Sequence, residues 1–142
     1  MGVTLTPWAN PDADSRALRG HLAGIVRTIP AALITTVDST GVIHTRLLPN
    51  TNSDCDRELY FLAPGDMPIV SEVRKRPDVL VTFSAPGSDR FIVVNGTARV
   101  ERDLELVERL WHPAIASWFQ AGEDEAALSV IKVVVDGVEV WD

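Results

Sequence analysis

Short runs of β-branched residues, each closed by a Pro or Gly turn signal, constrain this chain more than any other feature. Ala31 to Val37 leads into Ser39-Thr40-Gly41 and then into Val42 to Leu48. That pattern predicts a hairpin with Thr outward and Ile, Val and Leu inward. Pro49 to Arg57 is a polar loop, and Glu58 to Leu62 is a third strand stopped by Pro64-Gly65. Val79 to Ser84 is a strand and Ala85-Pro86-Gly87-Ser88 a turn. Arg90 to Glu101 is the longest strand, and the Gly96 inside it marks a bulge or a bend. Ser129 to Val135, the turn Asp136-Gly137 and Val138 to Trp141 read as a closing hairpin.

Helical periodicity fills three gaps between these runs. Asp14-Ser15 offers an N-cap, Leu18, Leu22, Ile25 and Ile29 share one face, and Pro30 ends the helix. Pro68 to Arg76 reads as a short helix with Pro in its first turn and Arg74-Lys75-Arg76 in its last, where cations complement the helix dipole. Asp103 to Trp111 is the third. Strands joined by short turns argue for a mostly antiparallel sheet closing into a small barrel, with helices outside. A length of 142 residues fits one domain, 1–142, with residues 1–13 as an extended N-terminal segment.

Three of the four tryptophans lie in the last third: Trp111, Trp118 and Trp141. Each Trp buries a large apolar ring and needs a partner for one N–H. Two of them seven positions apart, with Pro113 between, form either core packing or an aromatic wall against a flat ligand or a partner subunit. A net charge of −7 argues against nucleic acid, whose phosphates such a chain repels. No apolar run is long enough to span a membrane, and residues 1–10 show no signal-peptide pattern. A lone cysteine, Cys55, suits a reducing cytoplasm.

The sequence carries no phosphate loop, dinucleotide fingerprint, zinc helix or nucleophile elbow. His21, His44 and His112 lack metal-ligand spacing, so no metal site is expected. His44, on a strand, reads as a surface or dimer-contact residue. Glu123-Asp124-Glu125 reads as a solvated loop.

The ordered stretches Ala32–Asp38, Gly41–Arg46, Glu58–Phe61, Glu72-Val73, Pro77–Val79, Gly96–Ala98 and Arg102-Asp103 have a family likeness. Leu110-Trp111-His112-Pro113, Trp118-Phe119, Gly122 and Glu139–Asp142 complete the set. Together they resemble the general stress protein 26 group of the pyridoxamine 5′-phosphate oxidase-like flavoproteins. The resemblance implies a mostly β, α+β fold: an antiparallel, Greek-key-like split barrel with flanking helices. It also implies a homodimer with FMN at the subunit interface and an oxidoreductase acting on a small molecule of unnamed identity.

On that resemblance Arg46 is the phosphate or ribityl contact, and Thr45, Arg46, Leu47 and Leu48 run along the isoalloxazine. Phe61, Leu62 and Ala63 line the site, and Trp111 and Trp118 reach it from the other subunit. No catalytic residue is implied. The departures from the family pattern cluster. Ile69 stands where relatives place a phosphate-binding Lys, Ala63 where they show Thr or Ser, and Phe91 and Val93 where they are polar. FMN is therefore expected to be held weakly or to be absent, with Arg74, Lys75 and Arg90 as the other cations in question. The alternative is a split-barrel dimer that has lost the phosphate site and serves as a binding module.

Overall fold

The computed structural model describes residues 3–7, 13–55, 57–85, 87, 90–119 and 127–141, with 3–7, 13–15 and 18 described by backbone alone. Gly122 and the Glu123-Asp124-Glu125 run lie outside the described residues. The strands are β1 (Val3–Pro7), β2 (Ala31–Val37), β3 (Ile43–Pro49), β4 (Glu58–Pro64), β5 (Asp78–Ala85), β6 (Arg90–Glu101) and β7 (Leu128–Trp141). The helices are α1 (Ala13–Val26), α2 (Pro68–Lys75) and α3 (Leu104–Leu110), with a 3-10 segment at Pro113–Trp118. All pairings are antiparallel, in the order β1-β7-β6-β5-β2-β3, and β4 also pairs with β7. The sheet curls until β3 and β4 touch without forming a ladder, which is a split barrel.

Turn chemistry sets the β2–β3 hairpin. Asp38 Oδ1 accepts from the Thr40 N–H at 2.8 Å, the Thr40 hydroxyl at 2.6 Å and the Val42 N–H at 3.0 Å. Gly41 follows at φ 91°, a conformation that L side chains avoid. The register then runs from Ala31↔Pro49 to Val37↔Ile43. The facing differs from the expected one. Thr36 points inward and is fully buried, while Leu33, Ile43 and Leu47 lie on the outer face beside Thr35 and Thr45.

The closing hairpin does not form. β7 is one continuous strand, flanked on one side by β6 and on the other by β4 and β1. Asn95 faces Gly137 and Gly96 faces Val135, so Asp136 is the extra residue of a bulge. An Asp-Gly hairpin turn needs positive φ, and Gly41 alone shows it among the described glycines. Thr97 donates to Asp136 Oδ2 at 2.9 Å and holds the bulge. The expected bulge at Gly96 is present for a steric reason as well: a Cβ there would sit 2.3 Å from Val133 Cγ1 and 2.8 Å from the Val134 carbonyl oxygen. At the N-terminal end, α1 starts at Ala13, so Asp14 and Ser15 occupy its first turn instead of capping it.

Alternation places one side of each strand inside the barrel. Leu22 and Val26 of α1, with Ile34, Leu59, Phe61, Ile69, Val73, Val81, Phe83, Ile92 and Ile131, fill that interior. A second, smaller cluster lies under α3 and the 3-10 segment: Leu62, Leu106, Val107, Ile115, Leu128 and Val130. Asp103 caps α3 by accepting from the Leu106 N–H at 3.2 Å.

Candidate functional site

β3 organises the region, because successive side chains point to opposite faces. On its inner face lie His44, Arg46 and Leu48; on its outer face lie Ile43, Thr45 and Leu47. Arg46 meets α2. Its guanidinium grips both carboxylate oxygens of Glu72, Nη1 to Oε2 at 2.5 Å and Nη2 to Oε1 at 3.0 Å. The buried Thr36 hydroxyl also donates to Glu72 Oε2, at 3.2 Å. His44 Nε2 sits 2.8 Å from Asp38 Oδ2 and 3.7 Å from Glu72 Oε1.

The charges in this group are satisfied internally. Hydrogen bonding from Arg46 holds the Glu72 carboxyl below its usual range, against burial, which pushes it up. The hydroxyl of Thr40, followed by His44, holds the Asp38 carboxyl well below its own. α2 puts Glu72 here because Ile69, Val70, Glu72 and Val73 form its buried side. A carboxylate on that stripe needs a partner, and Arg46 provides it.

Beside this group is a cleft of about 410 Å³, lined by Leu47, Leu48, Pro49, Pro64, Asp66, Met67, Pro68, Trp118 and Phe119. It therefore unites the end of β3, the entry to α2 and the end of the 3-10 segment. Among the described residues its one charged lining residue, Asp66, is acidic.

The expected site residues divide. Leu47, Leu48 and Trp118 meet at the cleft. Thr45 is on the outer face, its hydroxyl 2.9 Å from that of Thr35. Phe61, Leu62, Ala63 and Ile69 are fully buried. Ile69 packs in the barrel interior rather than facing the cleft. Trp111 stacks on Phe119 of its own chain, with centroids 5.8 Å apart and planes 25° apart, against the smaller cluster. Phe91, at the far edge of the outer face, is paired with Trp141. Glu72 figured in the sequence only within the Glu72-Val73 likeness, with no role attached, and Asp66 not at all. The available signal for Glu72 was its spacing, three residues after Ile69 and one before Val73 on an amphipathic helix.

A second polar group lies around Tyr60. Its hydroxyl bonds to Glu58, whose carboxylate also lies 3.4 Å from Lys132 Nζ. That bond holds the Glu58 carboxyl below its usual range and pushes the Tyr60 phenol up to about 12. Among the described residues no group of His, Cys, Asp and Glu could hold a metal ion, and no helix is long and apolar enough to cross a membrane.

A curled antiparallel barrel with an apolar cleft at the mouth between β3 and α2 defines a class of small split-barrel proteins. The chain belongs to the pyridoxamine 5′-phosphate oxidase-like family, whose model matches residues 19–142. Among solved structures it is similar to a candidate pyridoxamine 5′-phosphate oxidase from Listeria innocua, at 29% identity over 85% of this chain and 95% of that one, with a TM-score of 0.68. It is also similar to general stress protein 26 from Bacillus anthracis str. Sterne, at 21% identity over 85% and 91%, TM-score 0.72. A third is the general stress FMN/FAD binding protein from Xanthomonas citri, at 20% identity over 89% of each chain, TM-score 0.71. No curated protein matches the chain.

The residues fit one half of FMN and not the other. A planar ring suits an apolar slot made by Leu47, Leu48, Met67 and Trp118. A phosphate dianion needs cations, and here Arg46 is held by Glu72, Ile69 is buried and the cleft contributes Asp66.

Proposed function

We propose that this protein is a homodimeric flavin-binding member of its family that holds FMN weakly and serves small-molecule oxidoreduction. The observation that carries the reading is the convergence of Leu47, Leu48 and Trp118 on one apolar cleft at the entry to α2. The protein would supply binding and orientation, and a bound flavin the redox chemistry. Assembly is supported by the outer sheet face, where Leu33, Ile43, Leu47, Leu80, Phe91 and Trp141 are all more than a third exposed. Cross-strand pairing puts them on one side of β3, β2, β5, β6 and β7. An exposed apolar face of that extent marks an interaction surface. Leu47 belongs to both that face and the cleft, so a second copy would border the ligand.

Asp66 and the Arg46–Glu72 pair favour a second reading, a binding module that takes no FMN. A titration separates the two. Purified protein is expected to show little flavin colour, to perturb the FMN absorbance spectrum only at high micromolar concentration or above, and to sediment as a dimer. A flavin spectrum unchanged at every concentration selects the second reading.

A further inference from the structure

We propose that Glu72 is an internal counter-ion occupying Arg46 in place of a ligand phosphate, so that the cleft selects a flavin ring without a phosphate over FMN. This rests on the flavin reading above and names the chemical class within it.

Arg46 carries a rigid fork of donors that matches a carboxylate or a phosphate two bonds at a time. Glu72 uses that fork with both oxygens. Neither residue of the pair lines the cleft, but both stand on the elements that do. Arg46 lies two residues before Leu48 on the same face of β3, and Glu72 lies one turn beyond Pro68 on α2. Glu72 is 8% exposed and is held a third time by Thr36, so a phosphate must displace a buried, fully bonded carboxylate to reach Arg46. Binding beside the intact pair is no better. Asp38 and Glu72 flank His44 there, and exposed Asp66 lines the cleft.

Arg74, Lys75 and Arg90 stand elsewhere, while the Arg102 guanidinium lies beside Gly65, next to the cleft but not among its described lining residues. Arg74 and Lys75 are in the last turn of α2, about 9 Å along the helix from the cleft end at the usual rise per residue. Arg90 Nη1 is 3.1 Å from His21 Nε2. Among the described residues the cleft lining therefore presents apolar surface and one negative charge. A neutral planar ligand, the flavin ring bearing only its ribityl chain, meets that surface with no charge to compensate. FMN brings a dianion into it.

The test is a pair of titrations of the full chain, riboflavin against FMN, at one salt concentration. Wild type is expected to bind riboflavin at least as tightly as FMN. Glu72→Gln is expected to release Arg46 and shift the ratio toward FMN by about tenfold, with riboflavin affinity unchanged. Asp66→Asn, at an exposed position, is expected to shift it the same way by about threefold. FMN binding tenfold tighter than riboflavin in wild type overturns this inference and leaves the flavin reading standing. So does an unchanged ratio in both variants. Binding of neither flavin overturns the flavin reading and this inference together.

Discussion

The two faces of β3 use the same seven residues for opposite purposes. Inward, His44 and Arg46 are bonded to carboxylates from the hairpin turn and from α2, and every charge has a partner close by. Outward, Ile43 and Leu47 are half or more exposed among the described residues. The inner face completes itself; the outer face stays open among the described residues. A cation predicted from sequence to await a ligand can thus be consumed by the protein, while hydrophobic residues predicted to fill the core can be left outside it.

The largest expected effect falls on the outer face. Leu33→Glu combined with Leu47→Glu puts two carboxylates at the β2–β3 end of the apolar patch. The dimer dissociation constant should rise by about a thousandfold or more, read as monomer by sedimentation at micromolar concentration. A variant that sediments like wild type would assign the face another role. On the inner side, Ile69→Lys tests whether that position faces a ligand or the core. An ammonium among Val70, Val73 and the barrel residues should cost about 3 kcal/mol or more in urea unfolding. A variant of wild-type stability that binds FMN more tightly would place Ile69 at the cleft.

Acid sharpens the comparison further. The Glu72 and Glu58 carboxyls titrate below their ordinary value of 4.5 in the folded chain. Their contributions are therefore fully present above that value and are lost as pH falls through the folded values. Wild-type urea midpoints should drop below about pH 4.5, and Glu72→Gln should flatten that drop. An identical slope in the variant would show that Glu72 is not held by Arg46 in solution. The smallest effect is local. Tyr60 is the one tyrosine in the chain, so phenolate absorbance reads it directly. Its midpoint should lie near 12 and move toward 10 in Glu58→Gln. The linked stability is present below pH 10 and is lost as pH rises toward 12.

Much of the fold was legible because local chemistry decided it. Asp38-Ser39-Thr40-Gly41 carries its turn in its own side chains, and β6 was read with its observed bounds, bulge included. Asp136-Gly137 failed for a non-local reason. The dipeptide suits a hairpin turn and a bulge alike, and the choice was made by the 12-residue β6 running alongside and by β4 and β1 filling the other edge. Inward and outward sides were misjudged on β2 and β3 because an apolar residue reads as core whether the chain or a partner covers it. Leu47, Leu48 and Trp118 were named through family likeness, and all three line one cleft. The pairing of Glu72 was missed because a charge on a short helix reads as solvated, and its partner lies 26 residues away on a strand.

Arg46 and Glu72 are bound to each other through both carboxylate oxygens. A double-mutant cycle measures this directly, with Arg46→Leu, Glu72→Gln and both together, each unfolded by urea at neutral pH. A coupling of about 1.5–3 kcal/mol is expected, with either single change costing more than its share of the double. Additivity within about 0.3 kcal/mol would mean that the pair carries no energy in solution, and that Arg46 is open to a phosphate after all.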